Sequence, residues 1–354
     1  MQLALNWAQK GMNTTMPNPR VGCLIVNQGQ VLGAGFTQPA GQAHAEIEAL
    51  RDAQSKGHDV RGATAYVTLE PCSHTGRTPP CADALIKAGI RRVVAAILDP
   101  NPQVAGRGMA RLQTAGVEVS YPLLEQQAHE INIGFFQRMN SGKPWIRMKA
   151  AASLDGKTAL HNNQSQWITG PEARADGHHW RARACAILTG IGTLKEDDPR
   201  LTVRAIPVSR QPVRIIVDSQ LQTPVTAKAL QGGALIVHAC QNPEKQADLL
   251  AAGAELLFLP NSNGKVDLPA LMLELGRREF NEVHIEAGSK LNSSLIQEGC
   301  VNELLLYIAP SLLGDARNLF DLPAIDDLDQ KIRLRFHQVS QLGNDLRLLA
   351  RFDT

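Results

Sequence analysis

Aromatic residues are scarce, at 4% of 354 residues, and no tract combines them with basic side chains. Single-stranded nucleic acid is held by stacking platforms along a basic groove, and that mode of binding has no material here. Charge of one sign is also lacking: 36 Lys and Arg stand against 34 Asp and Glu, a net +2. A binder of phosphate backbones would show a basic stripe. A small phosphorylated substrate stays open, because one or two arginines can hold it. The six cysteines, at 23, 72, 81, 185, 240 and 300, lack the dense spacing of a disulfide scaffold, which fits a reducing compartment. No apolar run approaches the length of a bilayer span. The opening MQLALNWAQKGMNTT lacks the basic-then-apolar order of a signal peptide. The expectation is a soluble, cytoplasmic protein that touches neither membrane nor nucleic acid.

A chain of this length exceeds what one core usually fills, so two domains are expected. Hydrophobic residues make up 44%, ample for two cores. Leu3, Leu5, Trp7 and Ala8 suggest a short helix stopped by Gly11, and VGCLIV and QVLGAGF flank Asn27-Gln28-Gly29-Gln30 as a hairpin. Residues 43–56 read as helix, ATAYVTL as strand, and PPCADALIKAG as a helix with prolines in its first turn and Gly89 at its end. RRVVAAIL, GMARLQTAG and VEVS continue as strand, helix and strand. Such alternation predicts a sheet covered by helices. NSGKP near 140–144 interrupts it, placing the boundary between residues 1–142 and 143–354. Beyond it the alternation resumes with WIRMKAAA, the helix GPEARADGHHWRARA, CAILTG, PVRIIVDS, ALIVHAC, EVHIEAG and the helix SKLNSSLIQEG. The final segment, KIRLRFHQVSQLGNDLRLLARF, predicts an antiparallel hairpin closing a mixed sheet, with Ile332, Leu334 and Phe336 facing inward. Residues 205–212 and 240–270 carry no motif.

Chemistry concentrates in AHAEIEAL, residues 43–50, and TLEPCSHTGRTPPCADAL, residues 68–85. A zinc ion held by one imidazole and two thiolates has three protein ligands, the count of a catalytic site with one position left open. Glu46 would then move a proton from water to a leaving amine. Residues i and i+2 lie about 200° apart on a helix, so His44 and Glu46 share a pocket only if His44 sits at the helix entry, as the preceding QPAGQA permits. A helix N-terminus also favours thiolates. Other readings stand beside this one. His-x-Glu alone is often a surface pair, two cysteines alone are often small buried apolar residues, and His74 or Cys23 could close a four-ligand structural site. Together, H-A-E and P-C with a second downstream Cys follow the zinc nucleobase deaminases, whose pattern is H-x-E with P-C-x-x-C. Here eight residues separate the cysteines instead of two.

The long loop belongs to a wider resemblance. PNPRVGCLIV, HAE, TLEPCSHTGRTPPC and DPNPQVAGRGMARLQTAGV resemble the deaminase half of the bifunctional riboflavin-biosynthesis deaminase/reductases. AASLDGKTA, SQWITGPEAR, GTLKEDDPRLTVR, RIIVDS and IEAGSKLNSSL resemble its reductase half. The resemblance implies an α/β protein with a cytidine-deaminase-like α/β/α domain with a mixed sheet in residues 1–142 and a dihydrofolate-reductase-like α/β domain in 143–354. It implies one Zn2+ on His44, Cys72 and Cys81, with Glu46 as proton shuttle. Asn18, His74, Arg77 and Asn101 become pyrimidine or phosphate contacts, or turn and surface residues. The first domain is expected to remove the 2-amino group of 2,5-diamino-6-ribosylamino-4(3H)-pyrimidinone 5′-phosphate by zinc-hydroxide hydrolysis. The second is expected to reduce the ribosyl group with NADPH, giving 5-amino-6-ribitylaminouracil 5′-phosphate.

HIEAGSKLNSSLI is not G-x-G-x-x-G, so no Rossmann domain is expected. Its Gly turn before a helix offers backbone N–H groups to a dinucleotide phosphate. The resemblance places Ala151, Trp167, Thr193, Asp197, Ser219, Gly288, Ser289, Lys290, Leu291, Asn292, Ser293 and Ser294 on the cofactor. It places Ser165, Arg181, Leu201, Arg204 and Glu286 on the substrate, the arginines as bidentate phosphate binders. It further implies a homo-oligomer formed through the reductase domain. A tRNA or single-strand deaminase with an appended binding domain, or a non-enzymatic metal-stabilised module, are the rival readings.

Overall fold

The computed structural model describes residues 1–74, 79–102 and 104–353. The chain divides into two compact units, Met1–Gly142 and Lys143–Thr354. In the first, α1 (Gln2–Lys10) precedes the hairpin of β1 (Gly22–Asn27) and β2 (Gln30–Phe36). Then α2 (Ala45–Ser55), β3 (Thr64–Val67), α3 (Cys81–Lys87), β4 (Arg92–Ala95), α4 (Arg107–Thr114) and β5 (Glu118–Ser120) alternate. Two helices absent from the sequence reading, α5 (Glu125–Ile131) and α6 (Ile133–Ser141), end the unit. The sheet order is β2-β1-β3-β4-β5. The hairpin pairs antiparallel, and β3, β4 and β5 run parallel.

Close packing of α2 on the hairpin is what positions the site. Ala45, Ala49 and Ala53 recur every four residues and are fully buried, a stripe on one helix face. That stripe lies on Gly33 and Gly35, where a Cβ would meet α2 backbone atoms. Small residues on both sides bring the helix axis unusually near the sheet.

The second unit holds β6 (Trp145–Ser153), β7 (Lys157–Ala159), α7 (Pro171–Arg183), β8 (Ala186–Gly190), α8 (Ile191–Asp197) and β9 (Val213–Val217). β10 (Ala234–His238), α9 (Pro243–Ala251), β11 (Ala254–Phe258), α10 (Leu268–Arg277), β12 (Glu282–Ile285), α11 (Ser289–Gln297) and β13 (Glu303–Ala309) continue it. β14 (Arg317–Asn318), β15 (Leu334–Leu342) and β16 (Asp345–Phe352) complete it. Nine strands form one sheet in the order β11-β10-β9-β8-β12-β6-β13-β16-β15. All neighbours from β11 to β13 are parallel, and β16 and β15 add antiparallel. The wholly buried β8 and β10 explain their unbroken apolar runs, as expected where helices cover both faces.

The mixed sheet and the closing hairpin agree with the sequence. The inward direction assigned to Ile332, Leu334 and Phe336 does not. Phe336 is 72% exposed, and the other two are also exposed. Alternation identifies a strand with two unlike faces, and β15 lies at the sheet edge with its apolar face uncovered. The stretch 240–270, without a motif, contains α9 and β11.

Candidate active sites

His44 is the residue immediately before α2, with extended backbone (φ −79°, ψ 166°), while Glu46 lies in the first helical turn. The two-residue spacing is thereby explained, because His44 is not on the helix and both side chains turn into one pocket. Cys72 follows Pro71 in the segment after β3, and Cys81 opens α3 behind Pro80. The Cys81 N–H donates to Cys72 Sγ at 3.2 Å. His44 Nδ1 lies 3.7 Å from Cys72 Sγ and 3.3 Å from Cys81 Sγ. The three ligand atoms all fall within 4.8 Å of one another, and no fourth His, Cys, Asp or Glu joins this group among the described residues. Cys23 is buried in β1, and His74 is exposed, both outside the group.

The pocket's electrostatics are shaped by the close approach of these donors to one another and to Glu46. The hydrogen bond from Cys81 outweighs burial and, with His44, brings the Cys72 thiol down to about 4. The same contact, together with burial, pushes the Cys81 thiol upward. Glu46 is 3% exposed, and burial, reinforced by Cys72, raises its carboxyl to about 7. Its Oε2 is buried with no hydrogen-bond partner among the described residues. One imidazole, two neighbouring thiols and a buried carboxylate oxygen without a partner among the described residues fit a zinc ion: soft donors, three of them, with a proton-carrying group beside them.

Sequence reasoning missed Glu70. Its carboxylate, nearly fully buried, accepts four backbone N–H groups, from Asp99 (3.2 Å), Gly106 (2.9 Å), Gly108 (2.8 Å) and Met109 (3.2 Å). It thus ties the N-terminus of α4 to the strand end that carries Cys72, a favourable place for an anion. The one available signal was an acidic residue directly before Pro-Cys. Asn18 and Asn101 lie in hydrogen-bonded turns. Arg77 lies outside the described residues.

The second unit carries a cleft of about 320 Å3 lined by residues of or following β6, β8 and β12. Ala151, Ser165, Thr193, Asp197, Glu286, Gly288, Ser289 and Asn292 line it, together with Lys149, which sequence reasoning did not single out. α11 opens there behind Gly288. Asn292, almost fully buried, donates to the Ala287 carbonyl while its Oδ1 has no partner among the described residues. An orphan amide oxygen beside a helix N-terminus fits a dinucleotide, whose amide and phosphates need a donor, an acceptor and backbone N–H groups.

Other assigned residues sit away from this lining. Trp167 is 66% exposed, with Arg174 4.6 Å over its ring. Ser219 Oγ accepts the Val266 N–H, and Ser293 Oγ accepts that of Asp321. Ser294 Oγ donates to the Lys290 carbonyl within α11. Leu291 packs against the apolar core near Gly190. Leu201, 2% exposed, is itself a core side chain, so only its backbone can face a ligand. Arg204 is exposed, and its N–H lies 3.4 Å from His178 Nδ1.

Arg181, which the resemblance assigns to the substrate, is engaged within the protein. Its Nε and Nη2 donate to the two oxygens of Glu286 at 2.5 and 2.7 Å, and Nη1 donates to the Thr202 carbonyl at 3.1 Å. The fork expected to hold a phosphate already holds a carboxylate. Burial opposes ionisation of Glu286, yet the Arg181 guanidinium keeps it well below the usual carboxylate range.

Residues 144–348 match the family described as the RibD C-terminal domain, and residues 1–97 match the cytidine and deoxycytidylate deaminase zinc-binding region. The riboflavin biosynthesis protein RibD of Escherichia coli K12 is 47% identical over 98% of this chain and 97% of its own length. The chain belongs to the RibD family. The RibD of Aquifex aeolicus is 40% identical over 98% of this chain and 96% of its own length. A solved Acinetobacter baumannii RibD structure superposes with a TM-score of 0.90 at 41% identity, covering 100% of this chain and 98% of that one. A Thermotoga maritima structure, described as a diaminohydroxyphosphoribosylaminopyrimidine deaminase/5-amino-6-(5-phosphoribosylamino)uracil reductase, gives 0.89 at 29% identity over 100% and 97%. As a RibD protein the chain is a bifunctional deaminase and NADP-dependent reductase of riboflavin biosynthesis, with a zinc-binding deaminase region. The nucleic-acid deaminase reading finds no support in full-length relatives of this kind, and the non-enzymatic module falls with it.

Proposed function

We propose that residues 1–142 form the deaminase domain and 143–354 the reductase domain, and that the two sites above divide the reactions between them. His44, Cys72 and Cys81 hold the zinc ion, and Glu46 carries protons. When bound, zinc would supply the Lewis acidity that activates a water for attack. Glu46 is buried, one of its oxygens has no partner among the described residues, and it projects from the first turn of α2 beside the ligands. It is placed to take a proton from the attacking water and return it to the leaving amine. The substrate is the 2,5-diamino-6-ribosylamino-4(3H)-pyrimidinone 5′-phosphate of this pathway, losing its 2-amino group as ammonia. The observation that carries this reading is the three-donor cluster with the orphan Glu46 oxygen beside it.

In the cleft, Thr193, Asp197, Gly288, Ser289 and Asn292 hold NADPH, which supplies the hydride that opens the ribosyl ring to ribityl. Glu286, an anion, faces the sugar hydroxyls and not the phosphate, which like charge would repel. Lys149 stands near it as a half-buried cation. Arg204, exposed and close to His178, takes the phosphate. Trp167, Ser219, Lys290, Leu291, Ser293 and Ser294 reach the cofactor only through adjustments in the loaded enzyme.

The same proposal includes a cytoplasmic homo-oligomer. Among the described residues no helix is long and apolar enough to cross a membrane. β15 is an unpaired sheet edge, and Phe336, Val339 and Leu346 expose an apolar face on β15 and β16. An antiparallel edge strand can pair with its own copy about a two-fold axis. A coupled assay of the purified protein with the diaminopyrimidinone phosphate tests the reaction, reading ammonia first and NADPH oxidation second. Ammonia without NADPH oxidation removes the reductase half of the reading, and no ammonia removes the other.

A further inference from the structure

One buried titratable group in the reductase unit has no part in the scheme above. His284 lies on β12 two residues before Glu286, and strand periodicity puts both on the same sheet face. It is 1% exposed, and neither ring nitrogen makes a well-formed hydrogen bond among the described residues. Leaving a buried polar group without a partner is costly. The acceptor that Nε2 meets is Glu286 Oε1, 3.3 Å away, and Glu286 but not His284 is among the residues lining the cleft.

The groups that face Glu286 come from four elements. Arg181 grips both its oxygens from α7, and His178 stands one turn earlier on the same helix. Lys149 approaches from β6, Tyr307 from β13 and His284 from β12 itself. Arg181 fixes the plane of the carboxylate. Oε1 faces both Arg181 and the imidazole, so His284 adds a second restraint on the Glu286 side chain from β12.

We propose that His284 is a positioning residue, a neutral imidazole that donates from Nε2–H to Glu286 Oε1 and holds that carboxylate aimed at the sugar in the reductase cleft. The inference rests on the proposed role of Glu286 as a substrate contact. Burial disfavours the imidazolium, and the carboxylate oxygen facing Nε2 favours the tautomer with its proton there.

The test compares two substitutions under saturating NADPH and the deaminated pyrimidine phosphate. His284→Gln keeps an N–H donor within reach of Oε1 and retains at least half of kcat. His284→Phe keeps the shape without the donor and loses tenfold or more in kcat, with KM for NADPH unchanged and ammonia release at the wild-type level. Independently, histidine-selective 15N spectra of the wild-type protein at pH 7 show a neutral Nε2–H tautomer in the signal that His284→Gln removes. A folded Phe variant with wild-type kcat, or an Nδ1–H tautomer, overturns the proposal. If the Phe variant does not fold, the tautomer alone decides. Failure of the underlying reading looks different: Glu286→Gln then turns over at the wild-type rate.

Discussion

At the metal centre, Glu46→Gln changes one oxygen to an amide and removes the ability to carry a proton, while the three donors of His44, Cys72 and Cys81 stay in place. The variant is expected to bind one zinc per chain by elemental analysis and to lose ammonia release by about 10²- to 10⁴-fold, the usual scale of general acid–base work. NADPH oxidation with the already deaminated pyrimidine should be unchanged. Zinc loss in this variant would make Glu46 a structural group and sink the assignment. In the reductase unit the decisive residues are ionised carboxylates. Burial opposes the charge of Glu286 and of Glu303, but Arg181 and Arg147 hold both below the usual range. A carboxyl whose folded value is depressed adds stability above its unfolded value, about 4.3 for Glu. That stability is lost as pH falls through the folded value. The midpoint of chemical unfolding of this unit should therefore stay level between pH 7 and 5 and fall below about pH 4. A level midpoint down to pH 3 would show that these ion pairs contribute nothing.

Elements place those residues, and two helices illustrate how. α2 rests on β2 through Ala45, Ala49 and Ala53 against Gly33 and Gly35. A Cβ at Gly35 would lie 2.5 Å from the Ala45 carbonyl oxygen and the Ala49 nitrogen. Backbone cannot step aside as a flexible side chain can. Gly35→Ala is expected to push α2 outward, costing about 1–3 kcal/mol in the unfolding midpoint and weakening zinc retention, because His44 enters that helix. Unchanged zinc affinity would mean that the helix slides without moving its first turn. α7 is the opposite case. Only Ala173 and Ala182 of PEARADGHHWRAR are buried, so the helix has almost no apolar stripe. It covers a sheet face carrying Arg147, Glu282 and Glu303, where Arg147 bridges both glutamates at 3.0 and 2.5 Å and Arg183 reaches Glu282 at 2.6 Å. Trp180 lies over the Arg147 guanidinium at 4.3 Å. Removing one partner of such a network leaves a buried charge unpaired, and Arg147→Met should cost about 3–5 kcal/mol. A loss under 1 kcal/mol by urea titration would count against that view.

For the whole molecule, the unfinished edge at β15 makes a prediction about assembly. Phe336→Asp with Val339→Lys places opposite charges on the uncovered face. If that face mates with a second copy, light scattering coupled to size exclusion should show a dimer for the natural chain and a monomer for the double variant. A monomeric natural chain would remove the proposal. Removal of zinc by a chelator is expected to abolish ammonia release and leave NADPH oxidation intact, since His44, Cys72 and Cys81 all lie in Met1–Gly142 and the reductase cleft lies in Lys143–Thr354.

The amino-acid sequence by itself determined the chemistry of the first site, because His44, Glu46, Cys72 and Cys81 are each tied to a helix start or a strand end by nearby Pro and Gly. It also determined the alternation of strands and helices, which hydrophobic period reports directly. It did not disclose Glu70 or the pairing of Arg181 with Glu286, whose partners lie from 29 to 105 residues away, nor that His284 is buried against Glu286, which depends on what covers that sheet face. Nor did it reveal which face of β15 is covered. Period two shows that a strand has two unlike faces, but only the packing of the other elements decides whether anything lies against them.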